Sequence, residues 1–158
     1  MLKIAFFDID GTLAAPYFLT PNGFSAGMPD EKWLEYNHTN KEKTYQWCKS
    51  IPQVVRYLQK LKEANVETYV LSCVLTSEEE KAKDLFISEK YPDLFTGIIY
   101  VNQDSEKVPQ MKKICDEKKI DYKDCELIED SFRNIIDAIT AGFVSKHVTN
   151  IIVEDSNE

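Results

Sequence analysis

Residues 3–9 of the chain, KIAFFDI, form a nearly continuous apolar run. A strand with one face in water would alternate apolar and polar side chains, and this run does not alternate. It therefore predicts a strand that is covered on both faces, as in a parallel sheet packed between helices. We therefore expect the N-terminal segment to be a strand in the core of the fold. The rest of the chain must then supply helices that cover both faces of the sheet.

After this run, segments with helical spacing of apolar residues alternate with strand-like segments. The predicted helices cover residues 52–64, 77–91, 105–120 and 131–142, and the predicted strands cover residues 66–72, 97–101, 125–129 and 148–153. This alternation is typical of an α/β fold, in which right-handed crossovers build a three-layer, doubly wound parallel sheet. Ligands bind to such sheets at the carboxyl ends of the strands.

The size of the chain predicts a single domain. With 158 residues, 43% of them hydrophobic, the whole chain (1–158) is able to bury roughly 70% of its unfolded surface in one core. The formal net charge of −8 argues against nucleic acid or an anionic membrane as a partner, because both interactions depend on clustered Lys and Arg. The N-terminal apolar stretch is too short for a signal peptide, and no later stretch approaches the ~20 apolar residues of a membrane span. We therefore expect a cytoplasmic protein, and its oligomeric state stays open.

The segment between the first strand and the first helix is long. Residues 14–50 are punctuated by Gly and Pro and are too few for a full helical cap, so they predict a short flap inserted after the first strand, over the site. The segment holds both tryptophans, Trp33 and Trp47, and several other aromatic residues. Such rings either pack the flap onto the sheet or stack on the nucleobase or sugar of a substrate, and the sequence leaves both open.

Polar residues gather where the predicted strands end. Asp8 and Asp10 close the first strand, and residues two apart on an extended segment point the same way, so the two carboxylates are able to converge. The other candidates at this edge are Ser72, Lys107, Glu129 and Asp130. Each has an ordinary alternative, because Asp-Gly is common in turns, acids are common at helix starts and lysines are common on solvated helices. Together the carboxylates predict a magnesium site, since Mg²⁺ prefers oxygen ligands.

The same residues resemble, in order, the four motifs of the haloacid dehalogenase (HAD) superfamily. DIDGT at residues 8–12 resembles the first motif, VLS at 70–72 the second, Lys107 the third and EDSFRN at 129–134 the fourth. The third motif is little more than a lysine at a helix start, so Lys112 and Lys113 are its alternatives. The resemblance spans nearly the whole chain and implies a HAD-type, Rossmann-like fold without a full cap domain.

The resemblance also implies a role for each matching residue. Asp8 would be the nucleophile, and Asp10 would be the general acid and base. Mg²⁺ would be held by the carboxylates of Asp8 and Asp130, by the backbone carbonyl of Asp10, and by Glu129 either directly or through water. The groups that would hold the phosphoryl oxygens of the substrate are Ser72, Lys107 and Thr12.

The aspartate at the second position of the first motif, Asp10, resembles the phosphatases and phosphotransferases of the superfamily rather than its carbon–halogen cleaving members. The resemblance thus implies a magnesium-dependent phosphomonoester hydrolase that forms an aspartyl-phosphate and acts on a small phosphorylated metabolite, such as a nucleotide or sugar phosphate. One alternative is a catalytically idle binding module of the same fold. Another is a receiver-like phosphoacceptor domain, which would need an aspartate at the end of a middle strand, in the region where SIPQVVRY (50–57) has no acid.

Overall fold

The computed structural model describes residues 1–156, which form a five-stranded parallel sheet, two short two-stranded sheets and six α-helices. The strands are β1 (Ile4–Phe7), β2 (Ala14–Ala15), β3 (Phe18–Thr20), β4 (Gly23–Ser25), β5 (Lys49–Ser50), β6 (Glu67–Cys73), β7 (Gly97–Val101), β8 (Cys125–Glu129) and β9 (Val144–His147). The helices are α1 (Asp30–Asn40), α2 (Pro52–Glu63), α3 (Ser77–Lys90), α4 (Lys107–Lys118), α5 (Phe132–Thr140) and α6 (Val148–Asp155). The last two residues of the predicted 1–158 domain lie outside the described residues.

The large sheet is arranged around β1. Its strand order is β7-β6-β1-β8-β9, and every neighbouring pair is parallel. Strand β1 aligns with Glu67–Val70 of β6 on one side and with Cys125–Ile128 of β8 on the other. The chain adds strands on one side of β1 and then returns to the other side, so the topological switch point lies between β1 and β8. This topology confirms the predicted doubly wound α/β class and makes the carboxyl ends of β1 and β8 the expected position of a ligand site.

The N-terminal apolar run is buried on both faces of the sheet, as predicted, and all four residues of β1 are fully buried. Ile4 and Phe6 pack with residues of α4 and α5, whereas Ala5 and Phe7 pack with residues of α2, α3 and α6. Complete burial of a side chain such as Phe6 stabilises the fold by roughly 1.5–3 kcal/mol. The longest helix, α3, has 14 residues, and no helix of the described chain is long and apolar enough to cross a membrane.

The prediction of a last strand at residues 148–153 is wrong, because this segment belongs to helix α6. The edge strand of the sheet, β9, lies just before it. The ring of His147 accepts a hydrogen bond from the backbone N–H of Thr149 at 3.2 Å, which caps the first turn of α6. Val148 and Ile151, three residues apart, are buried in the same core cluster as residues of α2. Capping and tertiary packing thus outweigh the strand preference of the β-branched residues in this segment.

The insert leaves and rejoins the sheet domain at one place. Ala14 pairs with Ser50 and Ala15 pairs with Lys49, so β2 and β5 form a short antiparallel ladder. Between them lie the β3–β4 hairpin and α1, which the sequence did not predict. The 14–50 insert is therefore more ordered than a simple flap, and whether it contacts a substrate stays open.

Candidate active site

The chain turns sharply after β1. The backbone N–H groups of residues 12–14 all donate hydrogen bonds to the carbonyl of Ile9, at 3.1, 3.0 and 2.8 Å. Gly11 has a φ of +78°, a left-handed conformation that residues with a side chain rarely adopt. A Cβ atom at this position would lie 2.2 Å from Oδ2 of Asp130. The glycine therefore allows the turn after β1 and the acid after β8 to approach closely.

Lys107 begins α4 and reaches the end of β1. Its Nζ atom is 3.1 Å from Oδ1 of Asp8 and 2.8 Å from Oε2 of Glu129, and its side chain is only 3% exposed. Burial lowers the pKa of Lys107, but the Asp8 and Glu129 carboxylates outweigh burial and raise it, so the lysine stays charged. The two alternative lysines lie elsewhere, since Lys112 lies over an aromatic ring and Lys113 is exposed.

Three carboxylates meet beside Lys107. Asp8, Glu129 and Asp130 each offer one oxygen, and these oxygens lie within 4.8 Å of one another. Burial, followed by repulsion from Glu129, raises the pKa of Asp8 to about 7. Burial also raises the pKa of Glu129, and burial together with repulsion from Asp8 raises the pKa of Asp130. Repulsion among these buried negative charges costs free energy, and a bound cation would reduce that cost. A set of donors that consists of oxygen atoms alone fits Mg²⁺.

Glu129 is buried at the end of β8 and is held by four hydrogen-bond donors. Its Oε2 atom accepts from Lys107 and, at 3.1 Å, from the side-chain amide of Asn134. Its Oε1 atom accepts from the backbone N–H groups of Asp130 and Ser131, at 3.1 and 3.3 Å. These four contacts hold the Glu129 carboxylate in one orientation. They favour Glu129 as a residue that positions Lys107, and its contact with a metal, direct or through water, stays a prediction.

A second buried lysine, Lys83, belongs to the site and was not identified from the sequence. It lies on α3, and its Nζ atom donates a hydrogen bond to Oγ of Ser72 at 3.1 Å. The same Nζ atom is 2.9 Å from Oδ2 of Asp10 and 3.1 Å from Oε1 of Glu79. Lys83 therefore connects the serine that ends the VLS motif to the second aspartate of the DIDGT motif.

Asp10 has another partner, which comes from the insert. The hydroxyl of Tyr45 donates a hydrogen bond to Oδ1 of Asp10 at 2.5 Å. Burial and the adjacent Asp10 carboxylate raise the pKa of Tyr45 well above its usual range, so the hydroxyl keeps its proton. The two oxygens of Asp10 thus have different donors, a phenol from the insert and an ammonium group from α3.

The structure does not bring Thr12 to the cavity in which the other predicted residues meet. Its side chain is fully buried, and its hydroxyl has no hydrogen-bond partner among residues 1–156. Full burial of this hydroxyl does not favour contact with a phosphate group in the cavity, and the role of Thr12 as a phosphate ligand stays a prediction. The backbone N–H of Thr12 donates a hydrogen bond to the carbonyl of Ile9 in the turn after β1.

The site opens into a cavity of about 450 Å³. The predicted residues that line it are Asp8, Asp10, Ser72, Lys107, Glu129 and Asp130. The insert contributes Asp30 and Trp33 of α1, and both also line a second cavity of about 280 Å³. Lys107 is the only basic residue in the described chain that lines either cavity. A larger cavity, of about 860 Å³, lies within the insert between the hairpin and α1, away from the strand ends.

Comparison with known proteins identifies the fold. No protein-family model matches the sequence, and no curated protein is significantly similar to it. A haloacid dehalogenase-like family hydrolase from Xanthomonas campestris is similar in structure, with a TM-score of 0.57, 12% sequence identity, and 91% of this chain and 80% of that chain covered. D,D-heptose 1,7-bisphosphate phosphatase from Burkholderia thailandensis has a TM-score of 0.53 and 11% identity, with 89% and 74% of the two chains covered.

A third solved structure carries ligands. It is an aspartate-to-alanine variant of a HAD family enzyme from Bacteroides thetaiotaomicron, in complex with magnesium and inorganic phosphate. The TM-score is 0.57 at 14% identity, and 93% of this chain and 94% of that chain are covered. At these identities the likeness shows the fold alone. The chain has the α/β fold of the HAD-like hydrolases, and this confirms the fold that the motifs predicted.

Proposed function

We propose that the protein is a magnesium-dependent phosphomonoester hydrolase that acts through an aspartyl-phosphate on Asp8. The observation that carries this proposal is the 3.1 Å contact between Nζ of Lys107 and Oδ1 of Asp8, beside the acids that end β8. A nucleophilic carboxylate must approach an anionic phosphate, and an adjacent ammonium group offsets the repulsion between them. The fold, which is shared with HAD hydrolases and phosphatases, supports the same class of reaction.

In the first half of the proposed reaction, a carboxylate oxygen of Asp8 attacks phosphorus, and the bond between phosphorus and the leaving oxygen breaks. Asp10 gives its proton to that leaving oxygen. In the second half, Asp10 takes a proton from water, whose oxygen attacks phosphorus and releases Asp8 and inorganic phosphate. Ser72 and Lys107 hold the phosphoryl oxygens in both halves.

Magnesium would be held by the carboxylates of Asp8 and Asp130 and by the backbone carbonyl of Asp10, with Glu129 bound directly or through water. When bound, the ion offsets the repulsion between the phosphate group and Asp8. The site supports this assignment, because the clustered acids offer oxygen atoms alone and because burial and mutual repulsion raise their pKa values. A HAD family enzyme of the same fold binds magnesium and inorganic phosphate.

For the substrate we infer a small phosphorylated metabolite, such as a nucleotide or a sugar phosphate. Trp33 lines the cavity beside Asp10, and an aromatic ring suits stacking on the base or sugar of a leaving alcohol. Because many residues that line the cavity are acidic, it favours substrates whose alcohol part carries no further strongly anionic group. We therefore propose that the 14–50 insert contacts the substrate through Trp33. A cytoplasmic location and the lack of nucleic-acid and membrane partners stay predictions from the sequence.

The two alternative functions differ in their support. A catalytically idle binding module would keep the fold and the cavity but release no phosphate, so it is an outcome of the test below. The receiver-like alternative has no support, because residues 50–57 form the end of β5 and the start of α2 and contain no acid. No acceptor aspartate is therefore present where that class of domain requires one.

The test is phosphate release from a panel of nucleotides, sugar phosphates and an aryl phosphate, measured with Mg²⁺ and with excess chelator. We expect hydrolysis that requires Mg²⁺ and that falls at least about 10³-fold in Asp8→Asn, which removes the nucleophile and keeps the shape of the side chain. The matched control, Asp137→Asn, changes an exposed aspartate of α5 and should leave hydrolysis unchanged. Folded protein that hydrolyses no member of the panel would favour the idle module.

A further inference from the structure

Lys83 makes more contacts than an ion pair with one acid requires. Its ammonium group has three N–H bonds, and four acceptors surround it: Oδ2 of Asp10, Oε1 of Glu79, Oγ of Ser72 and the backbone carbonyl of Cys73. Burial lowers the pKa of Lys83, but the Asp10 and Glu79 carboxylates outweigh burial and raise it. Lys83 is therefore a charged group whose bonding capacity is used entirely within the protein.

Lys83 does not bind substrate itself. Its side chain is 1% exposed, and the cavity is lined by its partners Asp10, Ser72 and Glu79 rather than by Lys83. Because its N–H bonds are directed at protein acceptors, none is left for a phosphoryl oxygen. Any effect of Lys83 on a reaction in the cavity must act through the groups that it touches.

Among the partners of Lys83, Asp10 is the one whose orientation depends most on hydrogen bonds. Its side chain is 44% exposed, so packing alone does not fix the direction of its carboxyl group. Lys83 holds Oδ2 at 2.9 Å and Tyr45 holds Oδ1 at 2.5 Å. Two donors on the two oxygens fix the direction in which the carboxyl group points and the rotation of its plane.

We propose that Lys83 is a positioning residue, which fixes the Asp10 carboxyl group and the Ser72 hydroxyl relative to each other for transfer of a proton to the leaving oxygen. This inference rests on the proposed function. In the step concerned, the electron pair of the breaking phosphorus–oxygen bond goes to the leaving oxygen. That oxygen takes the proton of the carboxylic acid form of Asp10 and leaves the carboxylate that Lys83 and Tyr45 hold. Misplaced groups transfer protons poorly, so Lys83 matters most for alcohols that must be protonated in order to leave.

The experiment compares two substrates of similar shape, phenyl phosphate and 4-nitrophenyl phosphate. Phenolate is the poorer leaving group and depends more on protonation. The quantity measured is kcat/KM, which reports the steps up to and including release of the alcohol. In Lys83→Gln we expect kcat/KM to fall about 100-fold for phenyl phosphate and less than about 10-fold for 4-nitrophenyl phosphate.

Further variants separate positioning from folding. Lys83→Arg keeps the buried charge and should recover part of the loss on phenyl phosphate. Tyr45→Phe removes the other donor to Asp10 and should show the same selective loss without leaving an unpaired buried charge. The matched control is Lys81→Gln, an exposed lysine on the same helix, which should change neither value. Circular dichroism and thermal unfolding report whether each variant is folded.

The outcomes distinguish this inference from the proposed function. If the protein is active and the Lys83 variants are folded, an equal loss of kcat/KM on the two substrates would overturn the inference. Lys83 would then have a structural role only. If the unmodified protein hydrolyses neither substrate nor any member of the wider panel, the proposed function fails and the inference fails with it. A loss confined to phenyl phosphate, shared by the Lys83 and Tyr45 variants, supports positioning of Asp10.

Discussion

Gly11 is constrained both by its backbone conformation and by its neighbour. Its φ is +78°, and a Cβ atom there would lie 2.2 Å from Oδ2 of Asp130. Gly23, the first residue of β4, also has a positive φ, of +101°, but a Cβ atom there would meet nothing within 4 Å. A comparison of alanine variants at the two positions therefore distinguishes the free-energy cost of a left-handed backbone from the cost of displacing the Asp130 carboxylate.

For Gly23→Ala we expect the free energy of unfolding to fall by about 1 kcal/mol, which is the cost of this conformation for alanine. Gly11→Ala should cost more. It should also raise the Mg²⁺ concentration needed for half-maximal hydrolysis, because the new methyl group pushes Asp130 away. Urea unfolding and a Mg²⁺ titration of phosphate release measure the two effects. The same Mg²⁺ requirement in both variants would argue against Asp130 as a metal ligand.

The strand-end residues of the site were predictable because each directly follows an apolar run or begins a helix in the sequence. Lys83 and Tyr45 were not, because a helix or the insert carries them to the site and tertiary packing alone decides where they point. One sign of Lys83 was present. Lys83 and Glu79 are four residues apart on the buried face of α3, and a charged pair on a core-facing stripe indicates that a further partner is buried there.

Among the elements, those with a strong apolar pattern were predicted best. Strands β7 and β8 have the predicted bounds, and α2 begins at the predicted proline. Strand β9 was missed because it lies at the sheet edge, where its sequence, VSKH, is mostly polar. Helix α1 gave no signal because DEKWLEYNHTN has almost no apolar periodicity, and Asn37 is its one buried residue.

The two tryptophans of the insert differ in position. Trp33 of α1 lines both cavities, whereas Trp47 is exposed and packs edge-on against Phe24, with 5.9 Å between ring centroids. If the insert contacts the leaving alcohol, Trp33→Ala should raise KM for a nucleotide or sugar phosphate about 10-fold and change kcat less. Trp47→Ala is the matched control and should change neither. Steady-state kinetics measure both, and equal KM values in the two variants would exclude Trp33 as a substrate contact.

On the scale of the whole molecule, the acid cluster joins the middle strand of the sheet to its neighbour. Asp8 follows β1, and Glu129 and Asp130 lie at the end of β8, so repulsion among these acids opposes the pairing on which the sheet depends. Lys107 offsets part of this repulsion. Binding of a divalent cation should therefore stabilise the entire fold, because the unfolded chain has no such cluster.

We expect Mg²⁺ at about 100 times its Kd to add about 2.7 kcal/mol to the free energy of unfolding, which corresponds to a rise in Tm of roughly 5–10 °C. Asp130→Asn should raise Tm in the absence of Mg²⁺, because it removes one of the clustered charges, and should lose most of the rise that Mg²⁺ produces. Asp137→Asn serves as the control with the same change of charge. Scanning calorimetry with and without Mg²⁺ measures these shifts, and a full Mg²⁺ response in Asp130→Asn would contradict the assignment.

The ladder between β2 and β5 joins two positions that are distant along the chain, because Ala14 and Ser50 are paired neighbours. If the segment between these two positions were replaced by another polypeptide, the new segment would begin and end at the same point beside the sheet. Neither β1 nor α2 would have to move. The proposed catalytic acids Asp8 and Asp10 lie outside the exchanged segment, whereas Tyr45, which donates a hydrogen bond to Asp10, lies inside it. A replacement segment that keeps a hydrogen-bond donor at the position of Tyr45 should change the substrate preference and retain the proposed chemistry, so a library of inserts should hold that one position fixed.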